Sequence, residues 1–446
     1  MTKSRSVLLA TTAIAIALLA SPAAQAQSAG KPIPQPIVDG LKLAPDSARI
    51  DLVLPKFSNP TTITNPLFPI SSQESVVLVG DVDGKPFRTE VTLMPYTRII
   101  KWDGVEIEAA ISQYVAYSNG RITESAIDLY AQADDGSVWY LGEDVADFED
   151  GVIITNEGTW HAGVEGPPAM IMPANPQIGQ VYRTENWPGV AFEEVTVKST
   201  GIALDGPFDK IAGAVVGSEL HMDGGTEDKQ FAPGYGEFYT ANVDGDVEAL
   251  ALAVPANRAS GPMPAEIGEM FDGAMAVLDA AGAKDWKSAA ASAKATEDAL
   301  GRVAATEVPA LMKPVLTKAV AGLSQAVAKK KVAGARQAAI EAAKWSNDLR
   351  LRYMPATEID RARLDLWAAQ LQLDAAAGRA GDVRGDVFTM VLIKDRFIRE
   401  LSAADGQNVN QALGDLQSAA KDAELEAAAE AARNLRALLA NLPAKG

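Results

Sequence analysis

The sequence of 446 residues contains no cysteine and only two histidines, His161 and His221. Without a thiol, cysteine-protease chemistry, thiolate zinc sites and covalently attached c-type haem are excluded. The histidines form no H-E-x-x-H motif, and no G-x-S-x-G nucleophile motif occurs. Because a Ser–His–Asp triad needs a single histidine, the low histidine number alone does not exclude hydrolysis.

Positive charge is also scarce. The chain has 40 Lys and Arg residues against 58 Asp and Glu residues, which gives a formal net charge of −18 at pH 7. An acidic surface of this kind repels nucleic acid and anionic lipid. It favours solubility, attraction of cations, or binding to a basic partner. We therefore expect no nucleic-acid partner.

Long apolar runs are missing beyond the first residues. Residues 1–26 have the pattern of a signal peptide, with Lys3 and Arg5 before the apolar run Val7–Ala20 and the small-residue site Ala24–Ala26. Cleavage is expected before Gln27. No later run reaches the roughly 18 apolar residues of a membrane span. The sequence predicts a periplasmic or secreted protein whose mature chain has no transmembrane segment.

The first half of the sequence has the residue pattern of β-strands and hairpins. Residues 27–70 form a Pro-rich segment, which is expected to be extended and to lie across the neighbouring domain. Residues 71–253 alternate short β-branched and aromatic runs with Asp-Gly or Asn-Gly pairs, the residues that tight hairpins require. These hairpins predict an antiparallel β-meander that closes into a barrel or a sandwich.

The second half of the sequence has the residue pattern of α-helices. Residues 254–264 form a linker of Pro, Gly and small polar residues, and residues 265–446 are rich in Ala, Leu and Glu. Four breaks recur, at 281–285, 329–331, 378–382 and 421–422, at intervals that suit helical hairpins. The predicted fold is therefore multi-domain, β and then α, with an irregular all-α bundle of helical hairpins, either stacked or in two bundles of four.

An acidic segment is the first candidate for chemistry. Between residues 134 and 150, carboxylates flank the strand that contains Trp139 and Tyr140. Calcium and similar cations require several converging oxygen ligands, but the spacing here does not match an EF-hand. The alternative is ordinary turn chemistry. The candidate metal ligands are Asp134, Asp135, Glu143 and Asp144.

Two further groups are candidates for ligand binding. In the helical half, Asp348, Asp360, Arg363 and Asp365 form either a buried polar network, a ligand pocket, or surface ion pairs. In the β half, aromatic side chains at a barrel mouth often line ligand sites, although they also dominate strand packing. The candidates there are Trp139, Tyr140, Trp160 and His161.

One stretch carries a resemblance. Residues 130–143 contain Tyr-Ala-Gln, Asp-x-Gly, Val-Trp-Tyr and Gly-Glu in order, and are followed by Met172–Pro176, Gly179 and Phe231–Gly236. This set, spread over residues 57 to 250, resembles a hairpin signature of uncharacterised secreted bacterial proteins. In that signature a tyrosine is more usual at Phe231 and a small β-branched residue at Tyr235. The resemblance implies a fold and no activity.

The sequence favours an exported, non-enzymatic protein that binds a small ligand or an extracytoplasmic protein partner. No cofactor is expected. The first alternative is a periplasmic hydrolase of glycosidase type, since paired Asp or Glu residues suffice for that chemistry. The second alternative is a protein that binds calcium or another divalent cation through the segment 134–150.

Overall fold

The computed structural model describes residues 31–35, 38–242 and 244–443. The predicted signal peptide lies outside these residues. The described chain divides into a β unit that ends at Ala256 and a helical unit that consists of the residues from Asn257 onward together with Asp150–Val152. In the described residues, no helix combines the length and apolar character needed to cross a bilayer.

The β unit contains short and long strands in the part of the chain that the structure describes. Their bounds are β1 (Lys31–Pro32), β2 (Val53–Leu54), β3 (Ser75–Val82), β4 (Lys85–Trp102), β5 (Val105–Ser118), β6 (Arg121–Gln132), β7 (Val138–Glu149), β8 (Val152–Thr155), β9 (Trp160–His161), β10 (Ala169–Met172), β11 (Val181–Trp187), β12 (Ala191–Asp205), β13 (Lys210–His221), β14 (Thr226–Ala232), β15 (Gly236–Asn242) and β16 (Val247–Val254).

Tight hairpins join the long strands. Asp83–Gly84, Asp103–Gly104 and Asn119–Gly120 each have two successive positive φ values, between 47° and 78°. Two positive φ values are the requirement of a type I′ turn, whose twist matches that of the strands it connects. The hairpins predicted from Asp-Gly and Asn-Gly are therefore present at these positions.

The hairpins build one antiparallel sheet of fourteen strands, and β1 pairs separately with β2. The sheet follows the order β10-β7-β6-β5-β4-β3-β16-β15-β14-β13-β12-β11, with β8 and β9 also paired to β7. Two meanders, β3–β7 and β11–β16, are thus joined through β16 and β3. This confirms the antiparallel β part of the predicted fold. Between the described residues of β10 and β11 no backbone pairing closes the sheet. The sheet is therefore open, and the predicted closure into a barrel is not found.

The Pro-rich segment contributes to the core of the β unit. Its residues Ile33, Leu54, Phe57 and Leu67 are buried in the main hydrophobic cluster together with side chains of the long strands. Burial of apolar area is the main favourable contribution to folding, at about 25 cal/mol per Å². The segment is therefore an integral part of this unit.

The helical unit contains eight helices in the described residues, as predicted for the second half of the fold. They are α1 (Ala265–Gly282), α2 (Trp286–Arg302), α3 (Met312–Ala328), α4 (Val332–Arg350), α5 (Ala356–Ala376), α6 (Ala380–Phe397), α7 (Ala403–Lys421) and α8 (Leu425–Ala440). The helices α1 to α4 pack as one set of four and α5 to α8 as another, and α4 contacts α5.

All four predicted breaks separate the two helices of a hairpin. The first three each contain one residue with positive φ, Lys284 (58°), Lys330 (50°) and Gly378 (74°), and the fourth is followed directly by one, Ala423 (55°). A left-handed residue just after a helix lets the next amide reach back to the last carbonyls and ends the helix. The breaks are therefore helix terminations of one common type.

Candidate functional site

The inner face of the β sheet lines a cavity of about 490 Å³. Its lining is acidic, and Lys229 is the only lysine or arginine among the described residues that line it. Eleven carboxyl side chains line the same space: Glu124, Asp128, Glu143, Glu185, Glu193, Glu219, Asp223, Glu227, Glu237, Asp244 and Glu248. Carboxyl groups are rarely buried without partners, so this concentration is the most informative feature of the unit.

Strand alternation explains why these side chains face inward. Side chains two residues apart on a strand point to the same face of the sheet. On β6, Glu124, Asp128 and Tyr130 are separated by even numbers of residues, and all three line the cavity. On β14, Glu227 and Lys229 follow the same rule. The sheet therefore presents one apolar-and-acidic face to the cavity.

One end of the cavity combines tyrosines with a carboxyl group. The rings of Tyr130 and Tyr140 stack with their centroids 4.8 Å apart, and Phe68 packs edge-on against Tyr130 at 4.9 Å. The hydroxyl of Tyr140 donates a hydrogen bond to Oδ1 of Asp128 at 2.7 Å. Aromatic faces next to a carboxylate are the usual surroundings of a bound organic cation. We call these four residues the aromatic end of the cavity.

Burial changes the protonation of the lining carboxyl groups. It raises the pKa of Asp128 from 3.8 to about 7, although the hydrogen bond from Tyr140 opposes the rise. Burial, together with the charge of Glu237, raises the pKa of Glu248 from 4.5 to about 8. The hydroxyl of Thr89 donates to Oε1 of Glu248. Both carboxyl groups therefore hold a proton over part of the neutral pH range.

A second group of lining residues holds the basic side chains of the cavity. Nδ1 of His221 lies 3.1 Å from Oε1 of Glu193, and Nζ of Lys229 lies 2.7 Å from Oε2 of Glu219 and 3.3 Å from Oε1 of Glu227. The side chains of Glu193 and His221 are 22% and 30% exposed, which places this end at the cavity opening. We call these five residues the histidine end.

Opposite charges set the pKa values at the histidine end. Burial disfavours the charge on Glu193, but Lys229 and the hydrogen bond with His221 outweigh it and lower the pKa to about 2. Burial likewise disfavours the charged imidazole, but Glu193 and its neighbours raise the pKa of His221 to about 9. Burial and the charge of Glu193 raise the pKa of Glu219 to about 8. Ionised and protonated carboxyl groups therefore lie side by side.

The structure separates the four residues that the sequence predicted as a ligand site in the β half. Tyr140 lines the cavity. Trp160 is fully buried and packs edge-on against Tyr140, with centroids 5.5 Å apart. Trp139 is fully buried, and its Nε1 donates to Oγ of Ser137.

His161 lies outside the cavity lining. Its Nε2 is 2.9 Å from Oδ1 of Asp144, which is also 2.7 Å from Arg98 through Oδ2. Its backbone amide donates to Oε2 of Glu165 at 2.8 Å. Nδ1 of the ring lies 3.7 Å from the same Glu165 oxygen, so the imidazole lies between two carboxylates at the strand β9.

The four predicted metal ligands of the segment 134–150 are not brought together. Asp134 accepts hydrogen bonds from the amide and hydroxyl of Ser58, and Asp135 accepts from the amide of Ser137. Glu143 and Asp144 are neighbours on β7, so they point to opposite faces of the sheet, and Glu143 lines the cavity. Two of these carboxylates therefore support turns and loops, as the alternative of turn chemistry predicts.

In the helical unit, three of the four predicted residues converge in the interior. The guanidinium of Arg363 lies 2.9 Å from Oδ1 of Asp348 and 2.8 Å from Oδ1 of Asp360. Arg396 of α6 also contacts Asp360, at 3.2 Å. All four side chains are at most 4% exposed. They join α4, α5 and α6 as the buried network that the sequence offered as one alternative.

Asp365 does not belong to this network. It accepts two hydrogen bonds from Arg436 of α8, at 2.8 and 3.1 Å, and both side chains are 19% exposed. Because Asp360 and Asp365 are five residues apart on α5, they project from different sides of the helix. The predicted set thus divides into a buried network and a half-buried pair.

Sequence reasoning missed most of the cavity carboxyl groups. The signal was present as charged residues two apart inside strands, in Glu219-x-His221 and Glu227-x-Lys229. Such spacing gives one polar face per strand, which is typical of a solvated face. Only the curvature of the sheet shows that this face lines a cavity.

No protein-family model matches the chain, and a search of curated proteins finds no match. The resemblance of residues 130–143 to secreted bacterial proteins therefore stays a prediction. The function is therefore inferred from the geometry of the cavity.

Proposed function

We propose that this protein is a non-enzymatic binding protein whose β unit holds a small organic cation in its cavity. The observation that carries the proposal is the imbalance of charge: eleven carboxyl side chains and one lysine line one cavity of about 490 Å³. Cavities of roughly 300–1,000 Å³ are of the size that binds small molecules.

The aromatic end supports an ammonium group as the part of the ligand that is recognised. Tyr130 and Tyr140 are buried tyrosines whose ring faces carry negative partial charge, and Asp128 is hydrogen-bonded to one of them. An ammonium over an aromatic face gains about 0.5–2 kcal/mol, more when it is desolvated. A nearby carboxylate adds a charge-assisted contact. Neutral ligands of the same shape would lose both contributions.

The protonated carboxyl groups are compatible with a cationic ligand. Asp128 and Glu248 hold protons because burial raises the pKa of each, to about 7 and about 8. A bound cation favours their ionised forms and replaces those protons. The empty and occupied cavity therefore have similar net charge, which lowers the cost of concentrating carboxyl groups in one space.

The test is titration calorimetry of the full chain with choline and putrescine, and with neutral 3,3-dimethyl-1-butanol as the isosteric control for choline. We expect heat of binding for at least one of the two cations and none for the neutral alcohol. Glu248→Gln is expected to weaken binding about tenfold. Asp205→Asn, which changes a side chain that is 88% exposed, should leave it unchanged. Equal binding of choline and the alcohol would overturn the proposal.

The second candidate is a hydrolase that uses carboxyl groups. It is favoured by the coexistence in one cavity of Asp128, with a pKa of about 7, and Glu193, with a pKa of about 2. Environments that separate two carboxyl pKa values are the pattern of an acid–base pair. Hydrolysis of nitrophenyl glycosides, lost in both Asp128→Asn and Glu193→Gln, would favour this candidate over simple binding.

Export is part of the proposal because the residues 1–26 have the pattern of a signal peptide. Expression with the native N-terminus in a Gram-negative host tests it. We expect the mature chain in the periplasmic fraction or medium, starting at Gln27 by N-terminal sequencing. Protein that stays in the cytoplasm with residues 1–26 attached would contradict export.

A further inference from the structure

The histidine end of the cavity places three carboxylates and an imidazole on one face of three paired strands. Glu193 of β12 lies directly opposite His221 of β13, and Glu219 of β13 lies directly opposite Glu227 of β14. Glu219 and His221 are two residues apart, so they share a face. Backbone register therefore fixes all four side chains next to each other.

The donor atoms are close enough to bind one ion. One ligand atom from each of Glu193, Glu219 and His221 lies within 4.8 Å of the other two. Nε2 of His221 also lies 3.7 Å from Oε1 of Glu227. Metal–ligand bonds of about 2.0–2.2 Å span such separations with small side-chain shifts. Among the described residues, no other group of three His or carboxylate side chains meets this spacing.

Two buried carboxylate oxygens lie at the histidine end. Oε2 of Glu219 and Oε1 of Glu227 accept no hydrogen bond from any described residue, although the two residues are only 3% and 6% exposed. Nζ of Lys229 lies 2.7 and 3.3 Å from them, so one ammonium group is shared between two buried carboxylates. Buried carboxylate oxygens that lack a hydrogen bond cost free energy, and a cation removes that cost.

A hydroxyl already orients two of the carboxylates. Oγ1 of Thr184 lies within hydrogen-bond distance of Oε2 of Glu193, at 3.0 Å, and of Oε1 of Glu219, at 3.3 Å. The other oxygen of Glu193 faces Nδ1 of His221, and the other oxygen of Glu219 faces Nζ of Lys229. Hydrogen-bonded support of this kind is characteristic of ligand residues in metal sites.

The geometry points to a divalent transition-metal site formed by Glu193, Glu219 and His221, with Zn²⁺ as the best match. One nitrogen donor and two carboxylates are the ligand set of zinc sites that keep a fourth position for water. Calcium requires six to eight oxygen ligands and is a poor match. This site goes beyond the proposed function, because the aromatic end that would hold an organic cation contributes none of its ligands.

The test is titration of ZnCl₂ and CaCl₂ into the full chain after treatment with a chelator. We expect one zinc ion per chain with micromolar or tighter affinity and no calcium binding. His221→Gln should weaken zinc binding by at least about 100-fold, because a direct ligand contributes more than an outer-shell partner does. The matched control is His161→Gln, which removes the other histidine and should leave zinc binding unchanged.

Three outcomes would overturn the site: no zinc binding at millimolar metal, unchanged binding in His221→Gln, or equal losses in the two histidine variants. Circular dichroism checks that both variants fold, and Glu219→Gln repeats the test without touching a histidine. The d–d absorption of bound Co²⁺, present in His161→Gln and lost in His221→Gln, reports the same ligand directly. Choline titration of His221→Gln separates this inference from the proposed function, since organic-cation binding should persist when zinc binding is lost.

Discussion

The hydroxyl of Tyr140 donates a 2.7 Å hydrogen bond to Oδ1 of Asp128 across two neighbouring strands of the cavity wall. Asp128 is buried, and the pKa of about 7 shows that burial outweighs this hydrogen bond. Glu237 and Asp144 add to the rise through their charges. The pair therefore couples the folding of the β unit to pH.

We predict that the β unit loses stability as pH rises from about 5 to 8. The folded-state pKa of Asp128, about 7, lies above the ordinary value of 3.8, so the folded chain binds more protons between these values. Stability then falls with rising pH, and Glu248, with a pKa of about 8, acts in the same direction. The contribution of Asp128 is at most of the order of 4 kcal/mol.

Scanning calorimetry of the full chain across this range measures the effect. Asp128→Asn should reduce the slope of the melting temperature against pH, because the amide does not titrate. Asp205→Asn, at the exposed end of β12, should leave the slope as it is in the parent protein. A melting temperature that rises steadily from pH 5 to 8 would contradict the prediction.

The affinity for choline should increase over the pH range 6 to 8. Choline has no titratable group, so any dependence comes from the protein. A cation displaces protons from Asp128 and Glu248, and fewer protons need displacing as pH rises. Linkage gives up to about tenfold in affinity per pH unit for each displaced proton. Titration calorimetry in buffers of different ionisation enthalpy counts the released protons, and the double variant Asp128→Asn, Glu248→Gln should release fewer than the parent protein.

Arg363→Met should destabilise the helical unit by about 3–5 kcal/mol. The substitution leaves the buried carboxylates of Asp348 and Asp360 without their shared guanidinium. Removal of one partner of a buried ion pair exposes the remaining charge to its full desolvation penalty. Arg433→Met is the matched control, because Arg433 is 53% exposed and pairs with an exposed glutamate, so its loss should cost below about 1 kcal/mol. Urea unfolding followed by far-ultraviolet circular dichroism distinguishes the two, and similar midpoints would refute the prediction.

Ala423→Gly should stabilise the last helical hairpin by about 0.5–1 kcal/mol. Ala423 is exposed and has a φ of 55°, a conformation in which alanine is strained and glycine is not. Ala295→Gly is the control, since Ala295 is an exposed residue inside α2 and glycine there should destabilise by about 1 kcal/mol. Thermal melting shows whether each substitution raises or lowers the melting temperature. A lower melting temperature for Ala423→Gly would show that the strain is absent.

The sequence predicted the parts of the fold that depend on local chemistry. Asp83–Gly84 and Asn119–Gly120 mark hairpins because positive φ is a property of the residues themselves. The breaks at Lys284 and Lys330 were recognisable because the apolar period stops there. The convergence of Asp348, Asp360 and Arg363 was foreseen as one alternative, since helical spacing limits which side chains can meet.

The candidate site was largely invisible because it depends on which face of the sheet is enclosed. Glu193, Glu219 and Glu248 lie on three different strands that are far apart in sequence, and each alone has the pattern of a solvated position. These three strands belong to the meander β11–β16, and the pairing of β16 with β3 adds the carboxyl groups of the other meander, such as Asp128. A long-range pairing of this kind has no local signal.

The four helix terminations have one further consequence. They share a left-handed residue yet place Lys284, Lys330, Gly378 and Ala423 there, so the backbone conformation is common and the side chain is not. All four positions are exposed, so the joints require of the side chain only that it tolerate this conformation. The surface chemistry at each turn can therefore vary while the turn itself is kept.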